Sequence, residues 1–199
     1  MLTQSVGSLL SLSGQRKMIP IVENRPQFVH ALDSLEVKTI FLRHCNLFEF
    51  GVLLEHAYRC KRALYVNVDN IGGIHPDAAG LRYLAHHLHV TGILSSNPKT
   101  LALAKNFDLE TIQRLFAVDS TGLEAALDSV DTRSVDLLDI SPAPVVPYVI
   151  PYLKTPLPLP FTASGLIFTF KQAQAVIEAG ASAVAVAKSE LWSKERLPT

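Results

Sequence analysis

The 199-residue chain lacks most of the features that mark a specialised protein class. Its two cysteines, Cys45 and Cys60, form neither a CxxC motif nor a disulfide framework, which suits a reducing compartment. Acidic and basic residues balance at 18 each, so no overall charge attracts nucleic acid or a membrane surface. No apolar run approaches the roughly 18 residues of a membrane helix. We therefore expect a cytoplasmic protein without a membrane segment.

What the chain has is the composition of a folded protein. Hydrophobic residues make up 48% of it and charged residues 18%, which excludes a disordered chain. The length allows one domain with a sizeable core. Residues 1–17 have no basic leader, and serines interrupt their apolar stretch. We expect a flexible tail over 1–17 and a single domain over 18–199.

From Met18 onward, short β-branched runs alternate with longer segments whose apolar residues recur every three or four positions. This rhythm is typical of parallel strands covered by helices. About seven to eight such units predict an α/β fold, a compact TIM-like (βα) barrel. An open doubly wound sheet is the alternative, although no Gly-rich dinucleotide turn follows the first strand. The predicted strands are 18–22, 39–43, 63–68, 92–96, 111–118, 135–140, 160–164 and 182–187.

Helix-end signals agree with this division of the chain. Thr121 and Glu124 have the spacing of a capping box. Pro76 and Pro98 stand where first helical turns are expected, and Gly180 stands where a helix should end. Residues 142–160 contain seven of the twelve prolines, so we expect only a short, irregular helix there.

The stretch "TIQRLFAVDS", residues 111–120, places an amide and a guanidinium side by side in an apolar strand. Neighbouring side chains of a strand point to opposite faces. A buried guanidinium needs a carboxylate. We predict that Arg114 points into the barrel and pairs with Asp139, or failing that with Asp69. A purely structural ion pair is the alternative to a ligand-binding one.

Two polar residues close the same stretch. Asp119 and Ser120 follow the strand directly, so they should lie at the C-terminal rim of the barrel, where sites in this fold are built. An Asp-initiated turn would explain them equally well.

A metal site has little support in the sequence. His86 and His89 would share one helical face, but no acid or cysteine stands nearby at ligand spacing. We expect neither a metal nor a cofactor.

Several segments together resemble the glycerol-3-phosphate-responsive antiterminator family. "TIQRLFAVDS" is similar to a hallmark of that family, and "YVNVDNIGGI" is similar to its third-strand motif, which carries Asp69 and Gly73. "TGILSSNPK" resembles its fourth strand, "ASGLI" its seventh, and "EAGASAVAVAKSELW" its closing segment. The resemblance runs from about Ile19 to Trp192.

This resemblance implies a regulator rather than an enzyme. It implies a small βα barrel that binds glycerol 3-phosphate and acts on leader mRNA to prevent transcription termination. The phosphate is expected beside the loops after strands seven and eight. Homo-oligomers are possible. The expected ligand-binding residues are Asp69, Gln113, Arg114, Asp119, Ser120, Asp139, Ser164, Gly165 and Lys188.

The chain departs from the family pattern mainly in the loops expected to hold phosphate. A dianion needs approachable backbone N–H groups, hydroxyl donors and a cation. Each lost hydrogen bond to a charge weakens binding by about 1.5–3 kcal/mol. We therefore expect altered or weakened phosphate recognition, with Lys188 as a partial replacement. The departures are Ser164 for a glycine, Ala185, Val186 and Ala187 for hydroxyl residues, Asn97 for a lysine, Asn67 for a histidine, Ala143 for a glycine and Cys45–Asn46 for a Gly-Asp pair.

Two other functions remain open at this stage. A barrel enzyme acting on a sugar phosphate could use Asp69, Asp119 and Asp139 as acid–base groups. Against it, no lysine ends a predicted strand where it could form a Schiff base. The other candidate is a degenerate paralogue that binds another small ligand or only protein.

Overall fold

The structure is a computed structural model that describes residues 8–9, 18–44 and 46–192. Eight parallel strands close into a barrel in chain order, from β1 next to β2 round to β8 next to β1. The predicted TIM-like barrel is confirmed, and the open sheet is excluded. The strands are β1 (Met18–Val22), β2 (Thr39–Leu42), β3 (Ala63–Asn67), β4 (Gly92–Ser95), β5 (Glu110–Phe116), β6 (Leu137–Ser141), β7 (Phe161–Ser164) and β8 (Ala183–Val186).

Helices connect the strands on the outside of the barrel. They are α1 (Arg25–Asp33), α2 (Leu47–Arg59), α3 (Ala78–His86), α4 (Pro98–Ala104), α5 (Ser120–Asp128), α6 (Val146–Val149) and α7 (Phe170–Glu178). All but α6 are directly preceded by a residue whose side-chain oxygen accepts a backbone N–H of the first turn. Such caps satisfy donors that the helix itself cannot pair, and they fix each helix start just beyond its strand. The capping residues are Asn24, Asn46, Asp77, Asn97, Asp119 and Thr169.

Two predicted helix starts were wrong. Helix α5 begins at Ser120, because Asp119 accepts the Gly122 N–H at 2.7 Å and takes the role predicted for Thr121. Pro76 precedes its helix, because Asp77 is the cap of α3. An aspartate two residues ahead of a threonine caps as well or better, so the helix starts earlier.

Other expectations about the helices were met. Pro98 opens α4, and Gly180 follows α7 with a φ of +102°. The proline-rich segment contains only the four-residue α6 between two single 3-10 turns, as predicted.

The N-terminal end of the barrel is closed by a short hydrogen-bonded chain. The buried Tyr65 hydroxyl donates to Glu110 Oε2 at 2.5 Å and accepts the Leu9 N–H at 3.0 Å. Burial, reinforced by the Glu110 charge, raises the pKa of Tyr65 well above its usual range, so the phenol stays a donor. Ser8 and Leu9, within the segment predicted as a tail, therefore pack against the barrel; the rest of 1–17 lies outside the described residues.

Apolar side chains fill the barrel up to its mouth, where an ion pair replaces them. Ile112 and Leu137 face inward, and above them Arg114 Nε donates to Asp139 Oδ2 at 3.0 Å. The predicted pair is confirmed. The side chains are 8% and 0% exposed, respectively. Thr162 and Ser164 of β7 also donate to Asp139, at 3.0 and 2.7 Å.

The ion pair predicts strong coupling between its partners. Arg114→Met and Asp139→Leu should each lower the free energy of unfolding by about 3–5 kcal/mol, because each leaves a buried charge unpaired. The double variant should lose clearly less than the sum, since no charge is then left alone. Denaturant titration measures all four proteins. Arg133→Met, which breaks the exposed Arg133–Asp131 pair, is the control and should change little. Additive losses in the double variant would contradict the coupling.

Alanine should have opposite effects on stability at two helical glycines. At Gly80 an added Cβ would lie 1.9 Å from the His75 carbonyl oxygen, whereas at Gly51 nothing lies within 4 Å. Gly80→Ala should cost about 1–3 kcal/mol of stability through overpacking. Gly51→Ala should gain up to about 1 kcal/mol from helix propensity. Equal unfolding midpoints for the two variants would show that the segment before α3 does not approach the helix as described.

Candidate functional site

The C-terminal rim of the barrel, where strands run into helices, gathers most of the residues expected to bind a ligand. Arg114, Asp139 and Ser164 lie at the inner mouth, and they are joined by hydrogen bonds. Gly165 and Lys188 follow β7 and β8, which are hydrogen-bonded neighbours. The barrel thus brings the expected phosphate side and the ion pair to one end of the molecule.

Gln113 is the expected site residue that lies elsewhere. The adjacent Ile112 faces the barrel interior, whereas Leu115, two residues after Gln113 along the strand, packs against the helices. Alternation therefore directs Gln113, which is 2% exposed, toward the helices and away from the mouth. Gln113 and Arg114 point to opposite faces of the strand, as the sequence predicted. The structure does not place Gln113 among the residues at the mouth that are expected to bind a ligand.

Asp69 is held by the end of the neighbouring strand. Its Oδ1 accepts the Ser95 hydroxyl at 2.5 Å, and its Oδ2 accepts the backbone N–H and hydroxyl of Ser96 at 2.7 and 2.9 Å. These donors fix the carboxylate at the rim between β3 and β4. They also explain why Asp139, and not Asp69, pairs with Arg114.

Asp119 and Ser120 lie at the rim after β5, as expected. Asp119 is exposed, and one of its oxygens caps α5, while Ser120 is the first residue of that helix. The Asp-initiated turn weighed from the sequence is therefore present. The capping role leaves Oδ2 of Asp119 directed to no hydrogen-bond donor among the described residues.

The loop after β7 has an unusual backbone. Gly165 and Leu166 have consecutive φ values of +82° and +58°. A leucine in the left-handed region costs about 1–2 kcal/mol, and such strain concentrates at ligand-binding loops. Gly165 also needs its lack of a side chain, since a Cβ would lie 3.0 Å from Ser141 Oγ. Both the positive φ and the nearby Ser141 hydroxyl therefore favour glycine at this position.

The departures from the family pattern have distinct structural consequences. Ser164 is fully buried and accepts from Arg114 Nη2 at 3.2 Å, so its hydroxyl serves the interior and not the rim. Ala185 faces the interior, while Val186 faces the helices. Lys188 is exposed, and it has no ion-pair partner in 18–44 or 46–192. Asn97 caps α4, and Cys45 lies outside the described residues.

Metal ligation finds no support in this part of the molecule. No group of three or more His, Cys, Asp or Glu side chains in the described ranges could hold a metal ion. Helix α3 ends at His86, so His89 does not share its face; it stacks on Tyr58 instead, with ring centroids 4.2 Å apart.

Two further polar residues lie at the mouth; sequence reasoning left out Arg43 and named Asn67 only as a departure from the family pattern. Arg43 directly follows β2 and donates through Nε and Nη2 to Glu23 Oε1, at 2.9 and 2.8 Å. Asn67 ends β3 and is 3% exposed. Asn67 stands two residues after Tyr65, which faces the interior, and this spacing was the signal that Asn67 also points inward.

Within the described residues, no helix is long and apolar enough to cross a membrane.

Comparisons with known proteins agree on one family. The family model described as glycerol-3-phosphate responsive antiterminator matches residues 18–192. No curated protein sequence matches. A glycerol uptake operon antiterminator regulatory protein from Listeria monocytogenes superposes with a TM-score of 0.80 at 23% identity, covering 93% of this chain and 98% of the other.

Two further solved structures share the fold. A glycerol uptake operon antiterminator-related protein from Thermotoga maritima has a TM-score of 0.76 at 19% identity, over 90% of this chain and 99% of that one. A deoxyribose phosphate aldolase from Aeropyrum pernix reaches 0.64 at 17% identity, over 87% and 86%. The fold is thus shared with enzymes, whereas the family match covers nearly the whole barrel. This chain belongs to the glycerol-3-phosphate responsive antiterminator family.

Proposed function

We propose that this protein is a transcription antiterminator that binds leader mRNA in response to glycerol 3-phosphate or a related small phosphorylated molecule. The observation that carries the proposal is the family match over residues 18–192. The ligand would bind at the C-terminal rim, and the RNA would be met in the cytoplasm. No catalytic step is part of this role.

The rim between β7 and β8 supports a phosphate-binding role. Gly165 is a partly exposed glycine directly after β7, and the exposed Lys188 supplies a cation two residues after β8. Backbone donors with a lysine form a workable phosphate site, although one with fewer donors than hydroxyl-rich strands would offer. We expect binding that is specific but weaker than in a site with a second glycine at position 164.

An aldolase-like enzyme is the competing function, because a neighbouring fold belongs to one. A Schiff-base mechanism needs a lysine directed into the barrel. None of the eight described strands contains a lysine, and Lys188 lies beyond the end of β8. Binding without conversion of a phosphorylated aldehyde or ketone would favour the regulator.

The same rim carries a possible RNA surface. Phe116 at the end of β5, Val118 after it, and Leu166 and Phe168 after β7 are 52–85% exposed. Single-stranded RNA is commonly recognised by stacking bases on exposed aromatic rings. With both ligand and RNA at one end of the barrel, binding of either can bias the loops seen by the other.

Removing the Lys188 charge should weaken ligand binding. Lys188→Met should raise the dissociation constant for glycerol 3-phosphate by roughly tenfold to a hundredfold, since one hydrogen bond to a charge is worth about 1.5–3 kcal/mol. Isothermal titration calorimetry measures the change. Lys38→Met removes an exposed lysine before β2, at the opposite end of the barrel, and should bind like the wild type. Equal affinities in both variants would contradict the phosphate site.

Removing the exposed rings should weaken RNA binding without affecting the ligand. Phe116→Ala and Phe168→Ala should each cost about 1–3 kcal/mol in affinity for a glycerol-operon leader transcript, the usual worth of one stacked base. Gel-shift titration with and without glycerol 3-phosphate measures this. Tyr83→Ala, an exposed ring on α3, is the control. Unchanged RNA binding in both phenylalanine variants would move the RNA surface away from this rim.

A further inference from the structure

A narrow cavity, with no room for a water molecule as the side chains stand, lies inside the barrel mouth on the side of β1 to β4. Its polar lining consists of Arg43, Asn67 and Arg114, and its apolar lining includes Ile21, Phe41 and Leu94. The cavity faces the expected phosphate side across the barrel, because β3 lies opposite β7 in a ring of eight strands.

Asn67 brings a hydrogen-bond donor without a partner to this cavity. Its Oδ1 accepts the Asp69 N–H at 3.2 Å, which sets the orientation of the amide. Its Nδ2 is buried and has no partner among the described residues. A buried unpaired donor costs about 1–3 kcal/mol, and native proteins rarely retain one without a role.

The charges around the cavity are already balanced. Arg114 faces Asp139, and Arg43 faces Glu23. An additional anion would enter a buried region without a free counter-charge, which is costly. A neutral acceptor oxygen avoids this cost, and a hydroxyl group can both accept from Asn67 and donate elsewhere.

Arg43 lies between the cavity and the solvent. The space is narrower than a water molecule throughout, so an occupant must displace a lining side chain. Of the described lining residues, Arg43 is the partly exposed one, with 21% of its side chain accessible, and the others are buried. Rotation of Arg43 away from Glu23 would open the cavity at the cost of one partly exposed ion pair.

We propose that Asn67 selects the hydroxyl end of the ligand, with Nδ2 donating to a polyol hydroxyl once Arg43 has moved aside. The inference rests on the proposed function, which holds the phosphate at Gly165 and Lys188. It adds that the glycerol moiety is read at β3, and that a phosphate ester without hydroxyl groups is rejected there.

The test compares glycerol 3-phosphate with n-propyl phosphate, which keeps the phosphate and lacks both hydroxyl groups. In the wild type, calorimetry should show at least about a tenfold preference for glycerol 3-phosphate, the worth of one hydrogen bond of about 1.4 kcal/mol. In Asn67→Leu, the two affinities should differ less than twofold. Thr39→Val is the matched control, because it also removes a buried polar atom without a partner, far from the mouth, and should keep the preference.

A second measurement uses only the wild type and does not depend on the folding of a variant. Glycerol 3-phosphate, and glycerol alone at high concentration, should shift the side-chain amide resonance of Asn67 in a ¹H–¹⁵N spectrum. Ligand binding with an unmoved Asn67 resonance, or an unchanged preference in folded Asn67→Leu, overturns the inference and leaves the proposed function standing. A shift with glycerol but no binding of glycerol 3-phosphate supports the hydroxyl site and overturns the proposed ligand. No shift with either compound overturns the inference.

Discussion

The burial of one guanidinium is the constraint on which the mouth of this barrel depends. Arg114 faces Asp139 across the β5–β6 pair, and Asp139 faces Thr162 across the β6–β7 pair. A slip of one residue in any of these strands would turn a charge toward the helix layer, where it would have no partner. The ion pair therefore fixes the register of three adjacent strands, besides satisfying its own charges.

This constraint accounts for the divided character of the site. Ser164 stands where the family pattern has a glycine, and its hydroxyl is drawn inward to Arg114 and Asp139. The hydroxyl of Ser164 is thus used by the interior and does not add a donor at the rim. On the opposite side of the mouth, the Nδ2 group of Asn67 is a donor that no described residue accepts from. Ser164 and Asn67 thus lie on opposite sides of the mouth, one with its hydroxyl in use and the other with an unpaired donor.

The sequence predicted the barrel well because its strands are nearly continuous apolar runs bounded by turn residues. It predicted the Arg114–Asp139 pair because strand alternation and the cost of a buried charge leave few solutions. It failed where two local solutions compete, as at Asp119 and Thr121, each of which could cap the same helix. It identified Asn67 only as a departure from the family pattern, since an amide that ends a strand does not reveal which of its atoms finds a partner. That information is tertiary: the Oδ1 atom is taken by Asp69, and only then is Nδ2 left over.

These features connect ligand binding to the surface of the protein. Six of the rim loops lead into capped helix starts, which restrain the backbone there and favour a response carried by side chains. Arg43 is such a side chain: its pair with Glu23 joins the loops after β1 and β2 and closes the cavity beside Asn67. Under the proposed function, a ligand that opens this pair changes the charge pattern of the same rim on which Phe116 and Phe168 are exposed. A change of side-chain pairing can therefore alter what a bound RNA meets without any rearrangement of the barrel, and a rigid closed sheet allows few other routes.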